Sequence, residues 1–351
     1  MSQRIVIMAG GTGGHVFPAL AVAQELQLRG WQVSWLGTHK GLESRVVPAN
    51  NIEIDWLAVE GIRGKGLSSK FGAVLKLIQA CVQARRILKQ RQPDVVLGMG
   101  GFVAGPGGLM AKLLGIPVVI HEQNRVPGTT NRLLVKLAAK TVLEAFPGSF
   151  PQSVAAVATG NPLRSALVRR AAEDKFFQPA RLNVLVVGGS QGAKVLNENV
   201  PQALVGLPDV AIRHQTGSAM QSQVAEQYQM LHQDAEVVAF IEDIAEAYHW
   251  ADLIICRAGA MTVSEVAVFG LPAIFVPLQN AIDDHQTANA RYLSDAGAAL
   301  LLPQQQLSPA NLRKLILDVI PQMNLMSQAA KRLAKPLATS TVADICREVA
   351  V

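Results

Sequence analysis

Ile5-Val6-Ile7-Met8-Ala9-Gly10-Gly11-Thr12-Gly13-Gly14 and, 178 residues later, Asn183-Val184-Leu185-Val186-Val187-Gly188-Gly189-Ser190-Gln191-Gly192 are two versions of one pattern. Each is an apolar run, then a cluster of glycines, then a helix-like stretch. A run that is apolar at nearly every position has no wet face, which marks a strand of a parallel sheet covered by helices on both sides. Similar runs recur at Val33–Leu36, Val95–Leu97, Val118–Ile120, Leu253–Ile255 and Ala273–Val276, with helix-like segments between them. The alternation argues for an α/β fold with parallel sheets. The echo predicts two domains of one Rossmann-like type, 1–161 and 162–336. The hinge is expected at Asn161-Pro162, after the Thr159-Gly160 turn.

The 351 residues suit two such domains, and 50% hydrophobic against 17% charged excludes a disordered chain. Aromatics, at 5%, leave little for stacking nucleic-acid bases. Cys81, Cys256 and Cys346 are odd in number and far apart, so neither a disulfide framework nor zinc spacing is expected, and a reducing compartment is. The N-terminus runs directly into the first strand, with no secretory leader expected. The long uncharged runs are broken by glycine and proline, so no transmembrane helix is expected either. The net charge of +6 is uneven: +9 over residues 1–160 and −3 over 161–351. The first half is therefore expected to meet something anionic.

Closely spaced glycines after a strand allow backbone N–H groups to approach an anion or a sugar, with the positive end of the following helix behind them. Gly10–His15 lacks the third glycine of a dinucleotide fingerprint, since Val16 stands there. The second strand ends Trp35-Leu36-Gly37, with no acidic residue. A Gly-Lys-Ser/Thr phosphate loop is absent as well. His15 is a candidate general base, although a lone loop histidine is more often structural. Gly188–Gly192 is a candidate phosphate cradle with the Ser190 hydroxyl. Cys256–Glu265 should open a helix near Met261. Thr262 and Glu265 fit the spacing of a capping box, and equally a helix N-terminus for a diphosphate with a carboxylate for ribose hydroxyls. Further polar clusters follow Ile120 (His121-Glu122-Gln123-Asn124) and Val276 (Asp283, Asp284, His285, Gln286, Asn289), where open α/β sheets bind ligands. No Asp-x-Asp occurs, and neither metal nor cofactor is expected.

From Gly61 to Arg91 there are eight Lys/Arg and no Asp/Glu. Phe71, Val74, Leu75, Leu77, Ile78 and Val82 lie among them and cover more than one helical face. A basic, broadly apolar helix suits an anionic lipid surface; the alternative is a core stripe with a solvated basic rim. No nucleic-acid motif accompanies the charge, so no nucleic-acid partner is expected.

Gly10–His15, Gly61–Gly66, Gly98–Gly108, His121–Asn124, Gly160–Arg164, Gly188–Gly192 and Gly259–Glu265 occur in the order seen in the MurG family, which this chain resembles over essentially its whole length. Those bacterial enzymes add N-acetylglucosamine to the lipid-linked muramyl-pentapeptide precursor of peptidoglycan. The resemblance implies a GT-B architecture, two Rossmann-like domains facing across a cleft, with a C-terminal helix at about 337–351 returning to the first. It implies no cofactor, and the substrates UDP-N-acetylglucosamine and a lipid-linked acceptor. It implies that Ile241 meets the uracil through backbone atoms and that Glu265 takes the ribose hydroxyls. Ser190 and the helix start Ala260-Met261-Thr262-Val263-Ser264 would meet the phosphates. Gln286, Asn289 and Asn124 would reach the sugar, and Arg164 would line the donor site. Thr12, Gly13 and Gly14 would face the sugar and acceptor from the first domain, with His15 as base. The patch around Lys65, Lys70, Phe71, Leu75 and Ile78 would dock on the cytoplasmic face of the inner membrane. Ala258 stands where some relatives carry serine. The rivals are a UDP-N-acetylglucosamine epimerase or a transferase with another acceptor, a nicotinamide-dependent dehydrogenase, and a non-enzymatic membrane scaffold.

Overall fold

A computed structural model describes residues 2–58, 67–173, 175–177, 180–189, 191–278 and 284–350; of residues 67–74 it describes the backbone alone. The chain divides into two compact units, Met1–Arg164 with Leu337–Val351, and Ser165–Pro336. Among the described residues the first holds seven parallel strands: β1 (Arg4–Ala9), β2 (Gln32–Gly37), β3 (Glu53–Trp56), β4 (Val95–Gly100), β5 (Val118–Glu122), β6 (Thr141–Glu144) and β7 (Val157–Ala158). Their order across the sheet is β3-β2-β1-β4-β5-β6-β7. The second holds six: β8 (Leu182–Val187), β9 (Val210–Gln215), β10 (Ala235–Val238), β11 (Leu253–Cys256), β12 (Ala273–Phe275) and β13 (Ala299–Leu301), in the order β10-β9-β8-β11-β12-β13. In each unit the first strand lies inside the sheet and the chain builds outward on one side, then on the other. The direction reverses between β1 and β4, paired through Ile5↔Val95, and between β8 and β11, paired through Val184↔Leu253. A crevice at the carboxyl ends of strands forms at such a reversal.

The apolar runs are explained by what covers them. Successive side chains of a strand point to opposite faces. Ile5, Ile7 and Ala9 share a core with Val16, Ala19 and Val22 of α1 (Gly13–Leu28) and with Val342, Ala343 and Cys346 of α14 (Ala338–Val349). Val6 and Met8 face the other way, into a core with Ala80, Ala84 and Leu88 of α3 (Leu67–Arg91), Met110 and Ala111 of α4 (Ala104–Leu113), and Leu134 of α5 (Thr129–Leu137). Each fully buried Val, Ile or Leu contributes roughly 1.5–3 kcal/mol relative to exposure. Gly107 shows how closely α4 is seated: a Cβ there would lie 2.4 Å from Met8 Sδ. The glycine-rich run after β4 is therefore a helix pressed onto the sheet. Among the described residues no helix is long and apolar enough to cross a membrane.

Candidate functional site at the two strand-order reversals

In the first unit the reversal brings the loops after β1 and β4 together. Thr12 is the N-cap of α1 but makes no side-chain capping bond, and no acidic residue occupies the first turn. The helix thus presents unsatisfied N–H groups and positive potential beside the loop. Gly13 and Gly14 begin the helix and His15 follows in its first turn. The His15 Nδ1 lies 3.4 Å from the Gly10 carbonyl. Gly100, at φ +101°, flanks the other edge of the ring, where a Cβ would approach His15 Nε2 to 2.9 Å. Glycine at this position is what admits the imidazole.

Glu43, which no sequence pattern singled out, anchors this loop. It opens α2 (Glu43–Ala49), is fully buried, and accepts bonds from Gly11 N (2.9 Å), Thr38 N (3.0 Å) and Thr38 Oγ1 (2.7 Å). A buried carboxylate must be bonded in this way. A cavity of about 450 Å³ opens beside it, lined by Gly10, Gly11, Lys40, Lys76, Phe102 and Val103. At the end of β5, burial pushes the His121 imidazole down to about 4, against the opposing pull of the Gly160 bond and of Glu122. The neutral ring donates from Nε2 to the Gly160 carbonyl (2.9 Å) and accepts at Nδ1 from Gln123 (3.2 Å). Glu122 accepts from the Asn124 backbone (2.9 Å), Gly128 N (3.0 Å) and Asn131 Nδ2 (2.9 Å). The loop carrying Asn124 is held from below. Arg164 belongs to this unit, and its guanidinium lies 5.8 Å from the Phe17 ring centroid.

In the second unit the reversal joins the loops after β8 and β11. Ser190 lies outside the described residues; its neighbours Gly189 and Gly192 form a tight turn, Gly192 N donating to Gly189 O (2.8 Å). The following helix, α7 (Lys194–Leu204), has no side-chain cap. Helix α10 (Ala260–Phe269) opens at Ala260, near Met261 as expected, with Gly259 as an N-cap that makes no side-chain bond. The capping-box alternative is overturned. Thr262 sits inside the first turn rather than at the N-cap, and the Glu265 carboxylate turns to Tyr248, whose hydroxyl donates to Oε2 at 2.8 Å. Tyr248 is buried and projects from α9 (Ile244–Trp250). Ala260 and Val263 are buried, while Met261, Thr262, Ser264 and Glu265 are half-buried.

The other expected donor contacts occupy varied positions. The Ile241 N–H already donates to Gln215 Oε1 (3.1 Å). Gln286 accepts at Oε1 from Leu278 N (2.9 Å). Asn289, on α11 (His285–Ser294), is fully buried and donates to the Ala258 carbonyl (3.3 Å), which ties α11 to the turn before α10. Asp283 lies outside the described residues. Among the described residues no three His, Cys, Asp or Glu side chains gather as a metal site.

The helix α3 carries apolar side chains both in the core and on the surface. Among its described side chains Ala80, Ala84 and Leu88 are buried, while Leu75, Leu77, Ile78 and Val82 are 40–65% exposed. A core stripe and exposed apolar residues thus occur together on this helix. Leu113 on α4 and Leu133 and Leu137 on α5 are also exposed, and α4 packs between α3 and α5. The Gly61–Gly66 loop with Lys65, and the side chains of Lys70 and Phe71, lie outside the described residues.

Comparison with known proteins agrees with this arrangement. Residues 5–143 match the glycosyltransferase family 28 N-terminal domain and residues 183–349 its C-terminal domain. The chain is 58% identical to the UDP-N-acetylglucosamine–N-acetylmuramyl-(pentapeptide) pyrophosphoryl-undecaprenol N-acetylglucosamine transferase of Methylococcus capsulatus, over 100% of this chain and 99% of that one. It is 50% identical to the corresponding transferase of Stutzerimonas stutzeri, with the same coverage. The crystal structure of Acinetobacter baumannii MurG superposes with a TM-score of 0.85 at 45% identity, covering 99% of each chain. Two parallel-sheet units with glycine-rich loops at matching reversals, and relatives of this identity along the whole length, place the chain in the MurG family of N-acetylglucosaminyltransferases, with the GT-B fold.

Proposed function

We propose that the chain transfers N-acetylglucosamine from UDP-N-acetylglucosamine to the muramyl 4-hydroxyl of an undecaprenyl-diphosphate-linked muramyl-pentapeptide, with inversion at the anomeric carbon. The observation that carries the donor assignment is the start of α10, whose N-cap is the glycine Gly259, with the Glu265 carboxylate near the helix start. Helix N–H groups suit a diphosphate, and a carboxylate suits vicinal ribose hydroxyls. The glycine turn Gly188–Gly192 adds further backbone amides. In the reaction the muramyl oxygen forms a bond to the anomeric carbon, the bond from that carbon to the diphosphate oxygen breaks, and UDP leaves with the electron pair. The negative charge developing on the diphosphate is met by the N-termini of α7 and α10, with Ser190 and Arg164 assigned the same task. His15 takes the hydroxyl proton. A proton on Nδ1 facing Gly10 leaves Nε2 as the accepting nitrogen. Gln286, Asn289 and Asn124 are assigned to the sugar, Asn289 acting from its buried position through the Ala258 turn. Lys40 and Lys76 at the cavity beside Gly11 bring positive charge to the acceptor side.

The test is UDP release from UDP-N-acetylglucosamine, with and without detergent-solubilised acceptor, in the presence of a chelator. Acceptor-dependent release that survives chelation is the expected result. Release abolished by the chelator would keep the transfer but overturn the metal-free stabilisation of UDP. No release from folded protein would overturn the transferase reading and leave the epimerase and scaffold.

The acceptor's lipid tail makes membrane docking a physical requirement, and the exposed apolar residues of α3, set among lysines and arginines, are the surface proposed for it. The working location is then the cytoplasmic face of the inner membrane, held peripherally. Replacing Lys65, Lys70 and Lys76 together by glutamine should weaken binding to phosphatidylglycerol vesicles by about tenfold or more at low salt, each cation contributing on the order of 1 kcal/mol near an anionic surface. Unchanged vesicle affinity in sedimentation would remove the patch from the mechanism.

A further inference from the structure

The end of β9 is unusual for an inner strand: it runs Arg213-His214-Gln215, and His214, Gln215 and the following Thr216 are all buried. Buried polar groups in such a place persist only if bonded. His214 is satisfied within the layer, by the Tyr228 hydroxyl (2.9 Å) and Asn197 Oδ1 (3.1 Å). Gln215 instead reaches two loops, each 26 residues away in the chain and on opposite sides of it. Its Nε2 donates to the Gly189 carbonyl (2.8 Å), and its Oε1 accepts from Ile241 N (3.1 Å). A side-chain amide carries a donor and an acceptor on one rigid plane, so a single group can hold both loops. The backbone beyond it continues the junction. Thr216 N donates to Val238 O (3.0 Å) and Gly217 N to Ala239 O (3.1 Å). On the other side, Gly192 is pressed so closely that a Cβ on it would lie 1.8 Å from the Thr216 carbonyl oxygen.

We propose that Gln215 is a positioning residue of the donor site, fixing the spacing between the segment at Ile241 and the glycine turn at Gly189. It rests on the reading above that the first meets the base and the second the diphosphate. A nucleoside diphosphate bridges the two, so its affinity depends on both halves being held in register; a ligand engaging only one half gains nothing from the register. The amide acts through these two loops and need not touch the nucleotide.

The experiment uses the full-length enzyme carrying Gln215→Met, which keeps the side-chain length and removes both bonds. UDP and uridine affinities are measured by calorimetry, KM and kcat for donor and acceptor by steady-state kinetics, and folding by thermal melting. The expected result is a loss of about tenfold in UDP affinity, as removal of two hydrogen bonds of ordinary strength can produce, with uridine affinity within about twofold of wild type. Donor KM rises in step, while kcat at saturating donor and acceptor KM hold. Equal losses for UDP and uridine would overturn the proposal, because they would mean that Gln215 supports the base loop alone. A fall in kcat with donor KM unchanged would also overturn it. Glu265→Ala separates this proposal from the reading it rests on. If that variant loses UDP while Q215M keeps the wild-type ratio of UDP to uridine affinity, the donor site stands and the positioning role falls. If the wild type itself binds no UDP, both fall. Should Q215M not fold, Gln215→Asn, which keeps the amide on a shorter stem, is held to the same split.

Discussion

Replacing His15 with alanine is expected to lower kcat by about 10²–10⁴-fold, the usual worth of a positioned general base. UDP affinity and the KM for both substrates should stay within about threefold, since the truncation removes a proton acceptor rather than a binding wall. The geometry makes the experiment clean. The imidazole sits in the first turn of α1, between the Gly10 carbonyl and Gly100, and is only half-buried. Its loss leaves no large cavity in the core beneath, which is built from Val16, Ala19 and Leu20. Near wild-type turnover with unchanged substrate binding would assign the proton to another acceptor. A matched rise in KM with kcat preserved would make His15 a binding residue instead.

Glu265→Ala is expected to weaken UDP binding by about 10- to 150-fold, the range for losing one charge-assisted hydrogen bond of roughly 1.5–3 kcal/mol. The expectation extends to a specificity. Wild-type enzyme should prefer UDP over 2′-deoxy-UDP, and the variant should lose most of that preference, because the missing hydroxyl and the missing carboxylate are two ends of one bond. The Tyr248 hydroxyl, buried and donating to Glu265 Oε2, is left without that acceptor, so a modest fall in melting temperature should accompany the effect. Calorimetry with both nucleotides decides the matter. An unchanged UDP affinity would remove Glu265 from the ribose.

Which parts of this molecule could be read in advance follows from where hydrophobicity is compulsory. The runs at Ile5–Ala9, Val33–Leu36, Val95–Leu97 and Val118–Ile120 are four of the five inner strands of the first sheet, covered on both faces. The edge strands Glu53–Trp56 and Ala235–Val238 carry polar residues, and the other two edges, Val157–Ala158 and Ala299–Leu301, are only two and three residues long, so all four blend into the loops around them. In the second sheet β9 is the exception, an inner strand whose last residues are polar because they join loops. The glycine clusters were legible because backbone approach demands glycine. That legibility extended to the family, since these clusters and three other short motifs, seven in order, leave few alternatives. What the clusters rest on was not legible. Glu43, Gln215 and Tyr248 are single residues of ordinary type, distant in sequence from the loops they hold, and no local pattern marks them. The start of α10 near Met261 was legible, but its cap was not, because Gly259 is an N-cap without a side chain to announce it. The two faces of α3 were ambiguous for a related reason. Among its described side chains, two of the three buried positions are alanines, which add little to an apolar stripe, while larger residues point outward.

The return of α14 has a consequence for the order of assembly. Val342, Ala343 and Cys346 complete the core around α1, and Arg29 pairs with Asp344 at 2.8 Å. That helix is synthesised only after the whole of Ser165–Pro336. The first unit therefore leaves the ribosome with one flank of its sheet layer still uncovered, and it stays open while the second unit, whose chain is continuous, gains everything it needs to fold. The second unit is placed to fold first although it is made later, and the first is sealed only once α14 has been made.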